Sequence, residues 1–186
     1  MRLNKILKNA LLVISAGIIL TACATKKEVA VEAPKKEETK KEETKKEEEV
    51  TKIEKIAGQM QGDVYVGTDS VKYLADGVAD RVFFATNESI LTTASRETLR
   101  AQAAWLRADF NNTVVLEGHA DERGTREYNL ALGERRANAA KDYLMTYGVS
   151  SDRITVISYG KERPVDSGSN PLAWSKNRRS VTVKAN

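Results

Sequence analysis

Val114-Val115-Leu116-Glu117-Gly118-His119-Ala120-Asp121-Glu122-Arg123-Gly124-Thr125, followed by an unbroken run from Arg126 to Tyr147 and then Gly148, decides how this chain folds. Three consecutive apolar residues, two of them β-branched, read as a buried strand. The run after Thr125 reads as a helix that stops at Gly148. With Leu132 at 0° and 100° per residue, Ala139 falls at about −20°, Tyr143 at about 20°, Asn129 and Tyr147 at about 60° and Ala140 at about 80°, a largely apolar stripe. Arg136 falls at about 40°, in the middle of that stripe, and Arg135 at about −60°, near its edge, while Glu134, Asn138 and Lys141 take the opposite face. A guanidinium on an inward face has to be paired or has to line a site, because a desolvated unpaired charge costs several kcal/mol. The residues alone leave two outcomes open: an internal salt bridge to Asp121, Glu117 or Glu122, or an anion site.

Working outward, Arg81-Val82-Phe83-Phe84-Ala85 reads as a strand, and Leu99, Ala103, Leu106 and Phe110 recur at helical spacing within 93–109. Asn111-Asn112 ends that helix, Ile154-Thr155-Val156-Ile157 forms another strand, and Ser180-Val181-Thr182-Val183 a last one. Strands alternating with helices predict an α/β two-layer sandwich of β-α-β-α-β type, with helices on one face of a small mixed sheet. The domain is expected over 80–186. Residues 56–79 form a poorly defined lead-in, punctuated by Gly58, Gly62, Gly67 and Gly77, with Val64-Tyr65-Val66 as one short strand. The turn from Gly118 to Thr125 gathers its polar side chains at one sheet edge, where binding groups concentrate. His119 alone reads as a surface or hydrogen-bonded histidine and takes no catalytic role.

With 186 residues, one domain plus extras is the expectation. The formal net charge of +4 includes Arg2, Lys5 and Lys8 at the extreme N-terminus, so without that segment it is +1, and no basic face for nucleic acid is supported. One Cys excludes an internal disulfide, and one His excludes zinc sites built on several His or Cys ligands. Neither a metal nor a cofactor is expected. Ala10 to Ala22 carries no charge and has the length of a signal-peptide core, short of the roughly 20 apolar residues that span a bilayer. Residues 1–22 therefore read as a signal peptide. Leu20-Thr21-Ala22-Cys23 resembles the lipobox of bacterial lipoproteins, which implies a lipidated Cys23 beginning the mature chain, and Ala24 in place of Asp favours the outer membrane. Several acyl chains on one residue anchor a protein effectively irreversibly. Residues 24–55 read as a linker. It contains Lys35-Lys36-Glu37-Glu38-Thr39, Lys40-Lys41-Glu42-Glu43-Thr44 and Lys45-Lys46-Glu47-Glu48-Glu49, is charge-balanced, and builds no apolar stripe. Extended, its roughly 30 residues reach about 100 Å from an anchor.

Glu117 to Thr125, then Tyr128-Asn129, Ala131-Leu132-Gly133-Glu134-Arg135-Arg136-Ala137, Ser158-Tyr159-Gly160-Lys161-Glu162-Arg163-Pro164 and Asn177-Arg178-Arg179 together resemble the OmpA-like peptidoglycan-binding domain, in its lipoprotein branch. The resemblance covers roughly 80–184. It implies non-covalent binding of the peptidoglycan stem peptide at diaminopimelate, with Asp121 and Arg136 in the positions of the family's ligand-binding residues. It further implies contacts from Thr86 and Asn87, the latter where relatives often carry Asp, supporting positions at Thr125 and Leu132, and Gly133 where many relatives have Ser. Outer-membrane localisation facing the periplasm, and a place in the Tol-Pal system beside the periplasmic TolB protein and other Tol proteins, at cell constriction and in envelope integrity, belong to the same implication. Physics agrees on the pair: the free end of diaminopimelate carries one ammonium and one carboxylate, matching an Asp and the planar fork of an Arg. Catalysis by Glu117, Asp121 and Glu122 is disfavoured, since surrounding arginines depress carboxylate pKa values and spoil a general acid. An alternative is a structural or partner-binding lipoprotein in which Asp121 and Arg136 bridge internally.

Overall fold

The computed structural model describes Thr51 and residues 58–185. Residues 1–22, Cys23 and the Lys/Glu repeats of 35–49 lie outside the described residues. Two short hairpins come first: β1 (Met60–Gln61) with β2 (Val64–Tyr65), and β3 (Tyr73–Ala75) with β4 (Val78–Ala79). They are followed by β5 (Arg81–Phe83), α1 (Thr93–Ala108), β6 (Thr113–His119), α2 (Arg126–Thr146), β7 (Ile154–Gly160), α3 (Pro171–Asn177) and β8 (Arg179–Ala185). The lead-in is thus more ordered than its glycines suggested. Tyr65 reaches the sheet and packs edge-on against Phe83 at 4.7 Å.

The four-stranded sheet has the order β5-β8-β6-β7, with β6 and β7 parallel and the other pairs antiparallel. The expected alternation of strands and helices holds, with α3 as an element the pattern did not announce. β8, last in the chain, inserts between β5 and β6, so that Val181 lies opposite both Arg81 and Glu117. Leu99, Ala103 and Leu106 of α1 share one core with Val114 and Leu116 of β6 and with Ala137, Ala140 and Leu144 of α2. Both long helices therefore cover the same face. Phe110 departs from its apparent helical register: α1 ends at Ala108 and the ring is 78% exposed, with Arg153 5.7 Å above it.

Caps explain the helix limits. Thr92 Oγ1 accepts from Ser95 N–H, Thr125 Oγ1 from Tyr128 N–H, and Asn170 Oδ1 from Ala173 N–H, each satisfying a donor that the first turn leaves free. Gly148 takes φ +82°, where a side chain would be strained, and its N–H closes α2 onto Met145 O. Gly118 and Gly133 let α2 approach β6 backbone to backbone, since a Cβ at Gly133 would lie 2.8 Å from Gly118 O. That contact brings the first half of α2 against the end of β6, where the polar turn begins.

Candidate functional site

Arg136 is fully buried on the inward face of α2, as the helical spacing required. Its partners are backbone carbonyls: Nε donates to Glu88 O at 2.8 Å, Nη1 to His119 O at 2.8 Å and Nη2 to Ala85 O at 3.0 Å. No carboxylate of the described residues lies within ion-pair distance of it, so the internal salt bridge to Asp121, Glu117 or Glu122 is not the arrangement found. Burial, and then the neighbouring Arg178, bring its pKa down to about 10, which leaves it charged at neutral pH. Arg136 ties the loop after β5 to the end of β6. Arg135, one residue earlier, is exposed and lies 5.9 Å over the Tyr128 ring.

Asp121 lies two residues past the end of β6 and is buried. Oδ1 accepts from the Arg123 backbone N–H and from Arg123 Nε, both at 3.1 Å, and Oδ2 accepts from Arg123 Nη2 at 2.8 Å and Arg178 Nη1 at 3.2 Å. Burial by itself would raise this carboxyl, but the hydrogen bonds from Arg123 and Arg178 outweigh it and hold the pKa below the ordinary carboxylate range. Asp121 is therefore a fixed anion. Arg123 has a 43% exposed side chain and stacks on Trp174 of α3, 4.4 Å from the ring centroid. The Trp174 indole N–H donates to Glu122 Oε1 at 2.8 Å. Arg178, at the α3–β8 junction, also donates through Nε to Phe84 O at 3.2 Å and through Nη2 to the Asp63 carbonyl.

The loop after β5 completes the cluster. Thr86 N–H donates to Asp63 Oδ2 at 2.7 Å, and Thr86 Oγ1 accepts weakly from Arg123 Nη2 at 3.4 Å. Asn87 is exposed at φ +58°, a left-handed conformation that Asn tolerates better than most residues. Thr125 is the N-cap of α2, and Leu132 is buried in the core beside the site. The structure thus gathers Asp121, Arg136 and Thr86 at one end of the sheet. Asp63, Arg123, Trp174 and Arg178 join them without having been assigned roles from sequence. The motif Asn177-Arg178-Arg179 carried a signal for Arg178; nothing in the glycine-punctuated lead-in marked Asp63.

His119 corrects the sequence expectation, being neither at the surface nor hydrogen-bonded. It is 1% exposed, both ring nitrogens lack a hydrogen-bond partner among the described residues, and the ring stacks on Tyr159 at 5.6 Å. Burial, reinforced by Arg179, Arg81 and Arg163, lowers its pKa to about 3, so the ring is neutral. It lines a cavity of about 510 Å³ with Arg81, Glu117, Arg163 and Arg179. A second cavity, of about 600 Å³, lies between the hairpins, β5 and the start of α1. Neither includes Asp121, Arg123 or Arg136, which meet at a cluster of loops instead. No group of three or more metal-ligating side chains occurs among the described residues, and none of their helices is long and apolar enough to cross a membrane.

Comparison with known proteins matches residues 83–178 to the OmpA family. Over 106 residues the chain is 54% identical to the peptidoglycan-associated lipoprotein of Mesorhizobium japonicum, covering 57% of this chain and 63% of that protein. Over 131 residues it is 40% identical to the peptidoglycan-associated lipoprotein of Pasteurella multocida, covering 70% and 83%. The crystal structure of the peptidoglycan-associated lipoprotein from Burkholderia pseudomallei aligns with a TM-score of 0.56 at 34% identity, covering 57% of this chain and 90% of that one. The chain thus spans just under two thirds of the Mesorhizobium relative's length.

Proposed function

Because the chain belongs to the OmpA family, we propose that its folded part binds the peptide stem of peptidoglycan non-covalently at diaminopimelate and tethers the outer membrane to the wall. It is a binding domain and not an enzyme. The observation that carries this reading is Asp121, a carboxylate locked in its charged form at the end of β6, among Thr86, Arg123 and Arg178 and close to the buried Arg136. The ligand ammonium goes to Asp121. The ligand carboxylate goes to Arg136, which has five N–H groups and uses three for the carbonyls of Ala85, Glu88 and His119. Reaching a fully buried guanidinium requires the Thr86–Ser89 loop to give way, and Thr86 and the left-handed Asn87 lie on that loop. Thr125 and Leu132 support the site, one by capping α2 and the other by packing under it. A neutral His119 with a pKa near 3 and a carboxylate held ionised offer no general acid for wall cleavage.

The rest of the chain fits the same role. A lipid on Cys23 provides the outer-membrane anchor, the Lys/Glu linker provides reach, and the periplasmic TolB protein and other Tol proteins are the proposed protein partners in the Tol-Pal system, at cell division and in envelope integrity. The internal pairing of Asp121 with Arg123 and Arg178 favours one rival reading, a structural or partner-binding lipoprotein whose acidic residue is already neutralised. Sedimentation with purified sacculi separates the two. The wild-type chain should pellet with diaminopimelate-containing wall and Asp121→Asn should stay in the supernatant while melting as a folded protein. Equal pelleting of both would remove Asp121 from the site.

A further inference from the structure

We infer that Arg123 is the selectivity element of this site: an internal cation that occupies Asp121 in the empty protein and yields it only to a ligand that brings a carboxylate in exchange. The inference rests on the assignment of Asp121 to the ligand ammonium. Three features of the geometry support it. First, Arg123 reaches Asp121 side-on through Nε and Nη2, at 3.1 and 2.8 Å, taking both carboxylate oxygens that an ammonium would approach. Second, the guanidinium is poised to leave. Its side chain is 43% exposed, and Trp174, held by Glu122, offers a stacking surface 4.4 Å away that does not depend on Asp121. Third, Asp121 stays in place when the Arg123 side chain departs, because the Arg123 backbone N–H and Arg178 Nη1 still bond it.

The exchange can be followed by counting ion pairs. A lone ammonium, as on the lysine side chain of a lysine-type stem peptide, replaces one pair with one pair, since it gains Asp121 only by displacing Arg123 into solvent. A diaminopimelate end carries ammonium and carboxylate on one carbon. It replaces the single Asp121–Arg123 pair with an ammonium on Asp121 and a carboxylate that meets Arg136 with one oxygen and the released Arg123 with the other, and a guanidinium suits such an anion. Selectivity for the zwitterion then follows from what the empty site holds, in addition to the contacts the filled site makes.

Calorimetric titration of the full chain in detergent micelles, with two tripeptides that differ only in carrying diaminopimelate or lysine at the third position, tests this. The wild type should prefer the diaminopimelate peptide by about tenfold or more, the range of one charge-assisted contact. Arg123→Ala should bind the lysine peptide more tightly than the wild type does and the diaminopimelate peptide more weakly, reducing the preference about tenfold. Arg123→Gln, which keeps the length of the side chain without its charge, should behave alike, and both variants should melt close to the wild type. A wild type that binds the diaminopimelate peptide, together with variants that weaken both peptides equally or keep the wild-type ratio, would overturn the role of Arg123 alone. A wild type that binds neither peptide would overturn the site reading and this inference with it.

Discussion

The layer between sheet and helices and the loop cluster at the end of β6 are both buried, yet they are held by opposite means. Under the helices, Leu99, Leu106, Leu116, Leu144 and Phe84 meet with essentially no exposure and no polar atoms to satisfy. At the end of β6, Arg136 and Arg178 are equally hidden, but their contacts are directional and involve the carbonyls of Phe84, Ala85, Glu88 and His119, together with Asp121. The apolar layer depends on volume, so an isosteric residue of any flexible shape can replace another at small cost. The polar cluster depends on partners, and removing one leaves the others buried and unpaired. A site for a charged ligand draws on the second kind of region, because it must offer polar groups that can exchange partners.

The largest expected effect comes from Arg136→Ala, which should destabilise the fold by about 3–5 kcal/mol, since three carbonyls lose a guanidinium donor and a buried space is left behind. Leu116→Ala should cost about 2–5 kcal/mol through transfer and cavity formation. Denaturant melts of the methionine variants make the comparison sharp. Leu116→Met should stay within about 1.5 kcal/mol of wild type, whereas Arg136→Met should remain nearly as unstable as Arg136→Ala. Equal mildness of the two methionine variants would erase the distinction between the regions.

Acid provides the next test. His119 has a folded pKa near 3, well below its unfolded value of about 6.5, so the unfolded chain binds a proton that the folded chain refuses. Its contribution is fully present above pH 6.5 and is lost as the pH falls toward 3, amounting to about 2 kcal/mol between pH 7 and pH 5. His119→Gln should flatten that part of a stability-against-pH curve. Asp121, whose folded pKa is depressed below the usual carboxylate value, contributes fully above that value and loses its contribution progressively as the pH falls toward its lower folded one. Wall binding at pH 5 should therefore persist while stability has already declined. The smallest effect belongs to Arg135→Ala. It lies on the exposed face one residue from Arg136 and should change both melting and stem-peptide affinity by under about 1 kcal/mol, measured beside Arg136→Ala.

Periodicity made much of this legible. The α2 stripe put Arg136 inside and Arg135 at its edge from spacing alone, and Gly148 marked the end of that helix to within a residue or two. The same reasoning failed where a residue's neighbours come from far along the chain. Phe110 continued the α1 register on paper, but the helix had already ended at Ala108. A histidine after a strand gives no sign that it will be covered by arginines from β5, β8 and the loop after β7, as His119 is.

What the sequence by itself determined is local or periodic: the strands and long helices of the sandwich, the inward-facing arginine and the polar turn after β6. Those follow from side-chain spacing within one segment, which needs no knowledge of the others. Only the tertiary structure decided that β8 enters the middle of the sheet, that Asp63 and Trp174 reach the same cluster, and that Arg136 bonds carbonyls while Arg123 and Arg178 take Asp121. A buried charge states only that it must have a partner. Which partner it finds depends on the distances at which separate elements close upon one another, and here the contact of α2 with β6 through Gly118 and Gly133 brings Arg136 within reach of backbone oxygens.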